Sequence, residues 1–146
     1  MIKEFQGNYR WLSNFAPVDI VIRDKAYPSV EHAYMAMKAP DNADWQSFCS
    51  NKSNSAGKVK KASKFIQLRP DWDDNCRLTL MKLLLKLKFS QKPFRSKLIS
   101  TGNQNIQEGN YWNDKFFGIC LKTGEGENHL GRLIMNIRDQ INNGVL

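Results

Sequence analysis

The segment Pro28-Ser29-Val30-Glu31-His32-Ala33-Tyr34-Met35-Ala36-Met37-Lys38 sets one carboxylate and one ammonium group seven residues apart, among aromatic and small apolar side chains. On a helix that interval is about two turns, so Glu31 and Lys38 share roughly one side. Val30, Ala33, Tyr34 and Met37 recur at helical spacing and form a stripe for burial. Glu31 falls in the first turn, where the helix dipole favours negative charge. A carboxylate and an ammonium group at the edge of an apolar wall suit a small-molecule site. The same pattern also fits a dipole-stabilising glutamate and a solvated lysine. A second source of functional groups is the stretch 101–126, rich in Gly, Asn and Thr, which carries Trp112 and Asp114 and reads as loop. Of the two histidines, His32 reads as a hydrogen-bonded core residue and His129 as an exposed loop residue. Cys120 has no histidine placed to activate it as a nucleophile.

The elements that must position these residues follow from periodicity and punctuation. Strands are expected over 1–8 and 18–23, with Asp24-Lys25 turning the second into a third near Ala26. Helices are expected over 29–39, 42–50, 54–65, 71–88 and 91–100. Ser29 is a capping residue type, and Pro28 stops its helix from extending backwards. In the fourth helix Trp72, Cys76, Leu80, Leu83, Leu84 and Leu87 form one apolar stripe, after Pro70 and Asp71 mark the start. A last helix shows Leu130, Leu133, Ile134, Ile137 and Ile141 on one face, with Gly144 able to end it. Asn128 is the expected cap of that helix, and Gly131 permits close packing. Arg138 is expected to turn away from the stripe and pair with a loop carboxylate. No repeat or linker interrupts the chain. The reading is a single α+β domain over residues 1–146, mostly helical, with a few short N-terminal strands.

Composition narrows the functional classes. With 146 residues, 41% hydrophobic and 11% aromatic, the chain has enough apolar material for one core, which excludes a disordered chain. No apolar run approaches membrane-spanning length and no signal-peptide pattern opens the chain, so no membrane partner is expected. Cys49, Cys76 and Cys120 are odd in number and widely spaced, which argues for reduced thiols in a cytoplasmic setting. Two histidines leave no basis for a His-rich metal site. The formal net charge of +8 is concentrated: residues 52–97 carry 13 basic and 3 acidic side chains. That segment could attract phosphates, a dinucleotide or a DNA backbone, or it could be a set of solvated helix faces.

The order of short motifs resembles the NADAR family, also called YbiA-like. The chain reads Trp11-Leu12-Ser13-Asn14-Phe15, then the Ser29–Tyr34 helix start, Arg69-Pro70-Asp71-Trp72, Asp114-Lys115-Phe116-Phe117-Gly118 and Asn128-His129-Leu130-Gly131-Arg132-Leu133-Ile134-Met135-Asn136-Ile137-Arg138. The family pattern is LSNF, Ser-x-Glu-His-aromatic, Arg-x-Asp-Trp, Lys-Phe, Asp-x-x-Trp-Gly and N-x-LG-x-x-LM-x-x-R. Each motif is weak alone; six in the same order, from Phe5 to Arg138, are specific.

The resemblance implies an N-glycosidase that hydrolyses the bond between a ribose and a nitrogen-bearing base. Family substrates include phosphorylated ribosylaminopyrimidine intermediates of riboflavin biosynthesis and ADP-ribose attached to guanine in nucleic acid. It maps catalytic and binding positions onto Glu31, Trp72 and Asp114. Breaking a C1′–N bond builds oxocarbenium character, which a carboxylate stabilises or answers by activating water. Glu31 and Asp114 are the expected pair, and Trp72 the expected stacking face for the leaving base. Lys38, Asn14 and Arg10 are candidates for ribose or phosphate contacts, with Trp112 and Phe117 as further substrate-facing aromatics. No metal or other cofactor is implied. The basic segment tilts the expected substrate towards nucleic-acid-linked ADP-ribose. The alternatives are a ribosylaminopyrimidine phosphate, or a module that binds ADP-ribose or nucleic acid without turnover. One departure stands out: Phe117 replaces the family tryptophan, keeping an aromatic wall but losing the indole N–H donor.

Overall fold

The computed structural model describes residues 1–146. It divides into two compact units: Met1–Ser13 with Leu85–Leu146, and Asn14–Leu84.

The Asn14–Leu84 unit begins with a hairpin of β1 (Ile20–Ile22) and β2 (Lys25–Tyr27), paired antiparallel with Ile20 opposite Tyr27. Its two-residue turn is Arg23-Asp24, one position earlier than expected, and both residues have positive φ (50° and 65°). That left-handed geometry matches the twist of the flanking strands, which is why two-residue hairpins adopt it. Three helices follow: α1 (Val30–Ala36), α2 (Ala43–Ser50) and α3 (Ala56–Ala62). Ser29, Asn42 and Ser55 cap them, each accepting a backbone N–H from three residues on. Every residue of α1 is buried, so this helix has no solvent face. Carbonyls at and just beyond its C-terminus accept from α2: Trp45 Nε1 donates to Met35 O (2.8 Å), and Gln46 Nε2 donates to Ala36 O and Ala39 O (both 2.8 Å). Tyr27 fixes Gln46 in turn, its hydroxyl donating to Oε1 at 3.0 Å.

Helix α4 (Asp74–Phe89) starts later than expected and buries a different face. Its buried residues are Met81, Leu84, Leu85, Lys88 and Phe89, whereas Leu83 is 53% exposed. The expected stripe through Cys76, Leu80, Leu83 and Leu87 is therefore rotated, and Trp72 precedes the helix instead of lying on it. A leucine-rich helix carries more apolar surface than one face can bury, so periodicity left the choice to packing.

In the other unit, β3 (Ile2–Glu4), labelled with its sheet, pairs in parallel with β4 (Ile106–Asn110), which pairs in parallel with β5 (Ile119–Cys120). The strands are thus not all N-terminal: two lie in the stretch expected to be loop, and residues 7–12 form a 3-10 turn. Gly109 explains the close register, because a Cβ there would fall 2.2 Å from Lys3 O. Helix α5 (Phe94–Ser100) packs on α6 (His129–Asn142), which packs on β4. Gly131 permits that last contact, since a Cβ would meet Ile106 O at 2.3 Å. Asn128 does not cap α6 through its side chain. It adopts a left-handed conformation and ties the helix start to β4, accepting from Glu108 N (2.9 Å) and donating to Ile106 O (3.0 Å). His129 is the first residue of α6 and half-buried against Phe116 (4.6 Å), not a free loop residue. Arg138 is buried and donates to Thr101 Oγ1 (2.9 Å) and Gln104 O (2.8 Å) in place of a loop carboxylate. No helix is long and apolar enough to cross a membrane.

Candidate active site

The helix start at Ser29 builds the site from the backbone outward. Ser29 Oγ accepts the N–H of His32 (3.1 Å) and lies 2.6 Å from His32 Nδ1. His32 Nε2 is 2.7 Å from Asn54 O, and because a carbonyl only accepts, Nε2 is the donor there. The imidazole is thereby committed at both nitrogens, as a core residue that ties α1 to the segment before α3. Holding His32 this way orients its neighbour. Glu31 is 7% exposed, and its backbone N–H donates to Asn14 O at 3.0 Å.

Around Glu31 the same unit gathers an aromatic wall and two cations. Tyr34, one turn on, meets Trp72 at 5.3 Å between ring centroids, tilted by 57°. Burial pushes the Tyr34 hydroxyl up to about 12, against the opposing pull of Arg77 and with a smaller push from the Glu31 charge. Arg77 Nε donates to that hydroxyl at 3.4 Å and its Nη1 pairs with Asp74 at 3.1 Å. Lys38 lies just past the C-cap of α1, half-buried, with Nζ 6.0 Å from both the Tyr34 and Trp72 centroids and 3.5 Å from Ser63 Oγ. Burial lowers its ammonium from the ordinary range, and the Glu31 carboxylate works in the opposite direction. Trp72 is held by its turn: Arg69 and Asp71 pair bidentately (2.5 and 2.9 Å), and Arg69 N donates to Lys38 O at 2.7 Å. Asn14 donates from Nδ2 to Met81 Sδ (3.5 Å), while its Oδ1 is buried with no hydrogen-bond partner. A buried acceptor without a donor is costly, and this one belongs to the residue whose backbone carbonyl takes the Glu31 N–H.

Four of the expected site residues, Glu31, Lys38, Trp72 and Asn14, are thus gathered in the Asn14–Leu84 unit. The other four belong to the second unit. Asp114 Oδ1 accepts the backbone N–H groups of Phe116 (3.1 Å) and Phe117 (3.0 Å), and Asn110 brackets its peptide with bonds of 2.9 and 3.0 Å. Phe117 is buried and edge-on to Phe116 at 4.8 Å, a packing role that needs no indole N–H. Trp112 is 58% exposed, and Arg10 is exposed on the 3-10 turn.

Tyr34 and Arg77 are members of the gathered cluster that sequence reasoning left out of the site. Tyr34 was legible only as part of a buried stripe, and Arg77 meets it across 43 residues of chain, a contact with no local signal. Lys88 is the other surprise. Counted from sequence among the positive field, it is fully buried, with Nζ donating to Ser13 O (2.8 Å) between the rings of Phe89 (5.3 Å) and Phe94 (5.1 Å). Burial, helped by the Arg10 charge, pulls it down to about 7.

Residues 2–142 match the NADAR domain family. The chain belongs to the NADAR family. Among its NADAR relatives, an N-glycosidase of Nostoc punctiforme is 32% identical over 139 residues, covering 92% of this chain and 87% of the relative. The N-glycosidase YbiA of Escherichia coli is 28% identical over 135 residues, covering 92% and 82%. A riboflavin biosynthesis protein of Vibrio vulnificus is 31% identical over 136 residues, but the chain spans only 36% of its length. The solved NMR structure of E. coli YbiA superposes with a TM-score of 0.82 at 25% identity, covering 98% of this chain and 84% of that one. The NADAR match takes in nearly all of both units, and the α+β, mostly helical class agrees with the YbiA fold.

Proposed function

We propose that this NADAR-family N-glycosidase cleaves an N-ribosyl bond and that Glu31 is the carboxylate at the reacting carbon. The observation that carries the reading is a buried glutamate set beside an aromatic pair, two cations and an unpartnered amide oxygen. The base departs from C1′ with the C1′–N bonding pair and leaves oxocarbenium character on the ribose, which Glu31 stabilises; water then bonds to C1′, and the proton it gives up to Glu31 ends on the departed nitrogen. Trp72 and Tyr34 offer the leaving base a face, worth on the order of 1–3 kcal/mol for one stacked base. Lys38 and Arg77 meet phosphate or ribose oxygens, and Asn14 Oδ1 accepts from a ribose hydroxyl. Asp114 holds the 111–118 loop through the backbone bonds described above, and the chemical step is given to Glu31. None of these steps calls for a metal or redox cofactor. Three free thiols fit a cytoplasmic setting.

For the substrate, the basic segment 52–97 favours ADP-ribose attached to guanine in nucleic acid. The riboflavin-related relative favours a second reading, a phosphorylated ribosylaminopyrimidine. Product release from ADP-ribosylated single-stranded DNA and from the pyrimidine phosphate, measured side by side, separates them. E31Q is expected to lose about 10²–10⁴-fold in rate on whichever is turned over, with the circular dichroism spectrum unchanged. Wild-type turnover by E31Q would remove Glu31 from the step. If D114N falls as far as E31Q, the carboxylate charge of Asp114 also belongs to it.

A further inference from the structure

Phe65 ends the short 3-10 turn Ser63–Phe65 that follows α3, and it is 90% exposed. An exposed phenylalanine is by itself unremarkable, as is a lysine-rich helix face. Here the two coincide in a stretch of chain without acidic residues. From Trp45 to Pro70 the chain has no Asp or Glu, while Lys58, Lys60, Lys61 and Lys64 are all exposed. On α3 the buried positions are Ala56 and Val59, which leaves the lysines around the remaining face. Two of them already lie over rings: Lys58 Nζ is 5.8 Å from the Phe48 centroid, and Lys60 Nζ is 5.9 Å from that of Phe15.

This face also adjoins the cluster around Glu31 within the same unit. Ser63 Oγ donates to Lys60 O (2.6 Å) and is 3.5 Å from Lys38 Nζ, while the Lys60 charge is felt at Lys38. Phe65 therefore stands two residues beyond a residue that touches the candidate site.

We propose that Lys58, Lys60, Lys61, Lys64 and Phe65 form a platform for single-stranded nucleic acid. The ammonium groups meet successive phosphates, and Phe65 stacks on an unpaired base. Alternating cationic and aromatic contacts are the chemistry by which strands are held without regard to sequence. A duplex offers phosphates but keeps its bases stacked, which leaves Phe65 without a partner. A second copy of a chain with net charge +8 would bring lysines against lysines. A membrane surface needs an apolar helix face, and α3 exposes none. The proposal rests on the hydrolase reading only for what the strand presents to Glu31; binding itself needs no turnover.

The test is fluorescence anisotropy of labelled single-stranded DNA and RNA of about 12 nucleotides, with the matching duplex and anionic vesicles as comparators. The proteins are the full chain and its F65A, F65W and K61Q/K64Q variants. F65A is expected to weaken strand binding roughly tenfold while F65W retains it. The K61Q/K64Q change is expected to lower the slope of log affinity against log salt by about 1.4. DNA and RNA arms show which strand is preferred. Absence of strand binding, equal binding by F65A, tighter binding of duplex or vesicles, or an F65-dependent dimer would each overturn the platform. Failure of the hydrolase reading looks different: F65A-sensitive binding persists while no ribosyl substrate is hydrolysed. Hydrolysis of a free ribosyl compound without strand binding sinks the platform alone.

Discussion

Replacing Lys88 by methionine should remove a pH dependence of stability that the buried ammonium imposes on the wild type. Lys88 titrates near 7 in the folded protein against 10.5 ordinarily, chiefly because burial penalises the ammonium form. Its folded value is depressed, so between the two pKa values the unfolded chain holds a proton that the native protein has released. Stability then rises with pH through that window, and the full penalty applies below pH 7. Each pKa unit corresponds to about 1.4 kcal/mol. Half-titrated at pH 7, the wild type gains about 2 kcal/mol by pH 9 from this group alone. K88M has no such group, so the difference between the two proteins should move by that amount. K88M also removes the Lys88 hydrogen bond to Ser13 O, a cost of about 1–3 kcal/mol at any pH. It should therefore exceed the wild type at pH 6 and come within about 1 kcal/mol of it at pH 9. K88R, which cannot shed its proton, should be destabilised throughout. Urea unfolding between pH 6 and 9, followed by tryptophan fluorescence, gives the difference directly; Trp11 packs edge-on to Phe89 at 6.4 Å and reports on this neighbourhood. A wild-type-minus-K88M difference that stays constant across that range would refute the argument that Lys88 is held neutral by burial.

Two further outcomes follow from hydrogen bonds in the helix start and the loop. S29A removes the cap of α1 and the hydroxyl paired with His32 Nδ1, and should cost about 2–4 kcal/mol in urea unfolding; a loss no larger than that of an ordinary exposed cap would show the His32 bond contributes nothing. D114A should cost about 1–3 kcal/mol and speed amide exchange at Phe116 and Phe117, while D114N, which keeps an acceptor oxygen, should protect both amides nearly as well as the wild type.

How much was legible depended on whether the signal was local. Ser29 before Val30-Glu31-His32 announces a helix start, and the structure caps α1 at that serine. The Leu130–Ile141 periodicity likewise marks α6, and Gly144 follows its end at the expected place. Helices 43–50 and 56–62 fall inside the expected spans, because capping residues Asn42 and Ser55 act on donors three residues away. Glu31 and Trp72 were legible as candidates through motif order, Lys38 through its spacing from Glu31, and Asn14 through the LSNF segment. The strand Ile106–Asn110 was not, because Gly109 and Asn110 read as loop; its partner lies more than a hundred residues upstream, at Ile2.

The sequence by itself determined the local elements and the family, since caps, helical periods and ordered motifs involve residues a few positions apart. Tertiary structure alone decided the rest. Leu83 and Leu87 yield the buried face of α4 to Met81, Leu85 and Lys88, because the surrounding surfaces select which side of an evenly apolar helix is covered. Arg77 joins Tyr34, and Arg138 joins Thr101, through contacts that no spacing announces. Lys88 is the sharpest case. The same side chain that contributes charge to a basic segment on paper loses much of that charge in the fold, because ionisation depends on the dielectric and partners around the nitrogen, and those come from Ser13, Phe94 and Arg10.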